Sequence, residues 1–142
     1  MPAAYKETQF RDRLTKTIGG PMWSKIETGL STTGVPDLYG IDHGVSIWIE
    51  CKIVAGRRLR HPLRPLQAFW HREYWLSGGR SLVVASERHN GGPRLGPPVD
   101  RIHIWTPGHL AENGSIPLDN IDVGSFDAPF DWPLIKKKLF EA

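Results

Sequence analysis

The run Val45-Ser46-Ile47-Trp48-Ile49-Glu50-Cys51-Lys52-Ile53 decides the reading of the chain. Successive side chains of a strand point to opposite faces. Val45, Ile47, Ile49, Cys51 and Ile53 therefore line one apolar face, and Ser46, Trp48, Glu50 and Lys52 share the other. A strand this apolar is expected inside a sheet. A Glu and a Lys side by side there require a reason, because burying charge is costly. The bland alternative is a surface ion pair, which contributes little.

A second carboxylate, Asp37, follows Pro36 upstream. Asp42-His43-Gly44 has the composition of a tight turn. It folds a short strand over 37–41 back against 45–53 as a hairpin, which brings Asp37 towards Glu50. Two carboxylates beside a backbone carbonyl make an oxygen-rich site suited to Mg²⁺, with Mn²⁺ as a substitute. Lys52 then holds or polarises an attacking water, or contacts a scissile phosphate. Two acids and one cation at this spacing are what phosphodiester hydrolysis needs.

Working outward, residues 5–18 read as a helix through Phe10, Leu14 and Ile18, stopped by Gly19-Gly20-Pro21. Residues 22–27 read as a short strand, and LSTTGVPD as a loop whose Ser31 and Thr33 are candidate phosphate contacts. The loop 56–62 is basic. Arg57, Arg58, Arg60 and Arg64 crowd together around His61. Such a run is commonly a solvated face; placed directly after the candidate strand, it is assigned to nucleic-acid backbone. Residues 65–77 read as a helix with Pro65 in its first turn, ended by Gly78-Gly79. Residues 80–86 are a strand apolar on both faces, 87–98 an irregular loop, and 101–105 a further strand. The stretch 107–131 is poor in pattern. Residues 133–140 read as a short helix whose Lys136-Lys137-Lys138 is solvated.

This order describes one α/β domain over 1–142, with a central mixed sheet of four to five strands flanked by helices. Its core spans about 5–106, and 107–142 is an irregular extension. A net charge of +3 favours a polyanionic partner only weakly. One cysteine excludes an intrachain disulfide and a Cys-based zinc site. The N-terminus lacks an apolar signal region, and no apolar run suits a membrane span, so a soluble cytoplasmic protein, phage- or prokaryote-encoded, is expected. His43, His89, His103 and His109 have no metal-ligand spacing. His71 and Arg72 fall on different faces of one helix, so at most one faces a groove. Trp48 either packs under a helix or lines the site.

Pro36-Asp37 followed by Glu50-Cys51-Lys52 resembles the signature of the PD-(D/E)xK nuclease superfamily. Gly34-Val35-Pro36-Asp37-Leu38, then the strand, then a helix carrying Gln67, is similar to VRR-NUC domains and to archaeal Holliday-junction resolvases, over about residues 5–86. The resemblance implies a restriction-endonuclease-like core. It implies Asp37 and Glu50 as metal ligands with the Cys51 carbonyl as a third, and Lys52 as the catalytic lysine. Glu7 becomes a second-metal or water-linked carboxylate, with Glu27 its competitor. Gln67 supports the site or touches a phosphate. The implied activity is metal-dependent DNA hydrolysis by a homodimer, selective for branched DNA such as a Holliday junction, in recombination and repair. Three other readings stand beside it: a nicking or homing-type endonuclease that reads sequence through residues after 87, a non-catalytic nucleic-acid-binding module on the same fold, and a nuclease acting on RNA.

Overall fold

The structure, a computed structural model, describes residues 5–26, 35–56, 58–60, 63–107 and 121–141, with only the backbone of Arg58. Its elements are α1 (Glu7–Thr17), β1 (Met22–Lys25), β2 (Leu38–Asp42), β3 (Val45–Ala55), β4 (Arg58–Leu59), α2 (Pro65–Leu76), β5 (Ser81–His89), β6 (Val99–Trp105), β7 (Gly124–Asp127) and α3 (Trp132–Phe140). Among the described residues the strands form one seven-stranded sheet in the order β1-β2-β3-β5-β6-β7, with β4 paired to β3. The β3–β5 pair is parallel and every other pair is antiparallel. A parallel pair needs a crossover connection, and α2 supplies it.

The alternation in β3 divides the core into two. Ile47, Ile49, Cys51 and Ile53 pack with Phe10, Leu14 and Ile18 from the α1 region and with Ile135 and Leu139 of α3. On the opposite face Val54, Val83, Ala85 and Trp105 pack with Ala68 of α2 and with Leu59 and Leu63. Helices thus cover both faces, and β3 and β5 are buried on both sides, as parallel strands require. Glu50 and Lys52 lie on the α2 face, each with 5% exposure or less.

The β2–β3 hairpin turns through two residues, His43 and Gly44, both with positive φ (48° and 82°). Such a turn matches the twist of its strands. Gly40 of β2 is also required. It pairs with Trp23 of β1, and a Cβ there would stand 2.5 Å from the indole ring.

Four expectations need correction. The sheet has seven strands instead of four to five. The basic loop 56–62 contains β4, which pairs Val54 with Leu59. The loop expected over 87–98 is shorter, because β5 continues to His89 and pairs there with Val99 of β6. The region expected as an irregular extension adds β7 to β6, and the helix expected over 133–140 is present as α3 and joins the core. β7 is Gly-Ser-Phe-Asp, too short and polar to show alternation. α3 shows only one pair of buried positions, Ile135 and Leu139. Among the described residues no helix is long and apolar enough to cross a membrane.

Candidate active site

Register places the carboxylates. Leu38 pairs with Ile49 across β2–β3, so the next position outward sets Asp37 opposite Glu50. Asp37 is held from its other side as well: the Ile26 N–H donates to its carbonyl at 2.8 Å, which extends the β1–β2 ladder by one residue. The buried Pro36 favours an extended residue before it and fixes the approach.

Four side chains converge on this point. Gln67 Nε2 donates to Glu50 Oε1 at 2.9 Å. The amide cannot flip without loss, because its Oε1 accepts from the Arg64 backbone N–H at 2.9 Å. The first turn of α2 thereby aims the NH₂ group at Glu50. Lys52 Nζ lies 3.7 Å from Glu50 Oε1 and 3.6 Å from Glu7 Oε1 at the start of α1. Both separations are ion pairs beyond hydrogen-bond length.

The electrostatics are unbalanced. Burial, then the neighbouring charge of Asp37, push the Glu50 carboxyl well above its ordinary range, while Lys52 opposes them. One buried oxygen on each of Glu7, Asp37 and Glu50 has no hydrogen-bond donor. Buried acceptors are ordinarily satisfied. Three carboxylates facing one ammonium leave an excess of negative charge that a proton or a cation relieves. The donor set is all oxygen, which suits Mg²⁺ or Mn²⁺. Among the described residues no three His, Cys, Asp or Glu side chains form a group that holds a metal by itself. Glu7 instead lies beside Lys52, 3.6 Å from its ammonium. A two-carboxylate site is still normal for Mg²⁺, which retains waters and takes substrate phosphate oxygens.

The remaining candidates fall as follows. Ser31, Thr33, Glu27, Arg57, His61 and the side chain of Arg58 lie outside the described residues. Arg60 donates to the Tyr5 carbonyl at 2.6 Å and so ties down the chain just before α1. Arg64 supplies the backbone N–H that orients Gln67. Cys51 is fully buried in the α1 and α3 core, which raises its thiol well above the ordinary value. Trp48 packs between Tyr39 (4.9 Å between ring centroids) and Trp70 (5.5 Å). His103 is satisfied by Ser125 and Glu87 at 2.8 and 2.9 Å. Lys136, expected to be solvated, pairs with Asp42 at 3.4 Å.

Between His71 and Arg72 the structure selects His71. It is fully buried, neither ring nitrogen has a partner, and its pKa is lowered to about 4 by burial and by the charge of Lys52. Its spacing of one helical turn from Gln67 was the available signal.

No protein-family model matches the sequence, and no curated protein matches it either. In fold the chain is similar to Hjc, a Holliday junction resolvase from the archaeal hyperthermophile Archaeoglobus fulgidus. The TM-score is 0.54 and the identity 14%, over 81% of this chain and 86% of that one. The likeness is one of architecture: the chain has a restriction-endonuclease-like mixed sheet flanked by helices.

Proposed function

We propose that this protein is a metal-dependent endonuclease that hydrolyses phosphodiester bonds of DNA, selectively in branched molecules. The observation that carries the reading is Asp37 opposite Glu50, both with donorless buried oxygens, beside Lys52 on one sheet face. The fold likeness to a Holliday junction resolvase supports the choice of branched DNA.

Asp37 and Glu50 would hold a divalent cation, which when bound supplies Lewis acidity and neutralises charge on the reacting phosphate. Gln67 keeps Glu50 turned inward. Lys52 contributes a fixed positive charge on the same face, suited to hold the attacking water or the phosphate as negative charge accumulates. Glu7 restrains that ammonium from its other side. Burial on the α2 face strengthens each of these interactions relative to water.

The test is a cleavage panel. With Mg²⁺ or Mn²⁺ the purified protein is expected to cut a labelled four-way junction faster than a flap and much faster than linear duplex. EDTA should stop it. Equal rates on all substrates would remove the branch selectivity. A gel shift without any metal-dependent product would instead mark a binding module. We include a homodimer in the reading, supported by exposed Leu66, Phe69 and Leu76 along α2; light scattering on the same preparation should give twice the chain mass, and a monomer mass would discard it.

A further inference from the structure

A second polar site lies at the far end of β5. A cavity of about 510 Å³ is lined there by Arg88, His89 and Asn90 on one side and by Asp100, Arg101 and Asp127 on the other. Its two carboxylates are already matched. Asp127 accepts from Arg101 at 2.6 Å, and Asp100 pairs with Arg13 at 3.5 Å. Arg88 is different: among the described residues it has no carboxylate partner, and its guanidinium rests over the Tyr5 ring, 5.1 Å from the centroid. His89 Nδ1 accepts from the Gly91 N–H at 3.1 Å. A neutral His89 therefore carries its proton on Nε2, a fixed donor. Arg88, His89 and Asn90 thus bring a cation without a carboxylate partner, an oriented N–H and an amide to the lining of one cavity. The donor set fits an anionic oxygen cluster, and guanidinium suits phosphate in particular.

The position connects this cavity to the candidate active site. Lys52 pairs with Ala85, and Arg88 follows three positions along the same strand. The Cα separation is then on the order of 11 Å by strand geometry, with the Arg88 side chain on the α1 face beside Tyr5 and Lys52 on the α2 face, because three positions is an odd step. Tyr5, which carries Arg88, precedes the helix whose Glu7 meets Lys52.

We infer that the cavity of Arg88, His89 and Asn90 is a phosphate subsite that holds the DNA backbone away from the scissile bond. This rests on the nuclease reading for its direction but not for its existence, since DNA binding without metal tests it separately.

The experiment measures anisotropy of a fluorescein-labelled four-way junction without divalent metal, across a KCl series. Arg88→Ala should weaken binding roughly tenfold and lower the salt slope by about one. His89→Leu should weaken binding less, and Arg88→Lys should restore the slope but only part of the affinity. Lys16→Ala removes the same charge from the exposed surface of α1 and serves as the control; it should leave the slope nearly unchanged. Equal effects of Arg88→Ala and Lys16→Ala would overturn the subsite, as would a wild-type protein that does not bind the junction. Thermal melts verify that each variant is folded. If Arg88-dependent binding is found but Mg²⁺ produces no cleavage, the nuclease reading fails and the subsite stands.

Discussion

Alanine at Asp37, Glu50 or Lys52 is expected to give a folded protein that still binds junction DNA and cuts it at least about 10²- to 10³-fold more slowly, the size of effect seen when one preorganised electrostatic group is removed. Each substitution removes a different part. Asp37→Ala and Glu50→Ala each take away one of two opposed carboxylates, and with it most of the attraction for a cation. Lys52→Ala takes away the ammonium that lies 3.7 Å from Glu50. Because the three act as a unit, a double variant should be little worse than the weaker single one. Gln67→Ala acts through Glu50 and should cost less, roughly 10- to 100-fold, as expected for a residue that orients a ligand. Single-turnover cleavage of a labelled junction in Mg²⁺ measures all of these. Near-normal cutting by any of the three alanine variants would remove that residue from the site.

The second large effect concerns pH and stability, where two buried groups pull in opposite directions. His71 has its folded pKa depressed from 6.5 to about 4. The neutral ring is favoured in the fold, so its contribution is present above 6.5 and is lost as pH falls towards about 4. A shift of that size corresponds to on the order of 3 kcal/mol. Glu50 has its folded pKa raised above 4.5. Its contribution is present in acid and is lost as pH rises through the folded value. Each substitution should therefore reveal the other group. His71→Leu should remove the acid-side loss, so that metal-free protein melts higher in mild acid than wild type. It should also be tolerated at neutral pH, because two donorless buried ring nitrogens disappear. Glu50→Gln should raise the neutral-pH Tm by a few degrees, on a scale where about 1 kcal/mol moves Tm by roughly 2–8 °C. The gain should vanish in acid, where Glu50 already carries its proton. Melting curves against pH for the three proteins decide the matter. Parallel curves would mean that neither group titrates as its burial implies.

How much of this was legible in the sequence depends on what each residue's position rests on. The Glu50 and Lys52 face could be read because strand alternation is local and β3 is long. The meeting of Asp37 and Glu50 followed from a short turn between them, which leaves few registers. Gln67 came from resemblance alone; nothing in its helix says that its Oε1 is held by Arg64 and its NH₂ therefore faces Glu50. His71 was left as one of two faces, because the direction of α2 on the sheet is a tertiary fact. β7 was missed, and α3 was read as a helix without its place in the core, for a related reason: their docking onto β6 and the α1 side of the core is tertiary, and four polar-flanked residues carry no pattern of their own.

The turn at His43 and Gly44 has a role beyond closing a hairpin. It is a length gauge. With two residues in the turn, Asp42 pairs with Val45, and every later pair is counted from there until Asp37 arrives opposite Glu50. One extra residue at the turn would shift the count by one and bring Leu38 opposite Glu50. It would also send the Asp37 carboxylate to the other face of the sheet, since a one-residue slip reverses every side chain. Activity lost in such an insertion variant, with binding kept and every site residue intact, would show that the distance between two carboxylates is stored in a loop that touches neither.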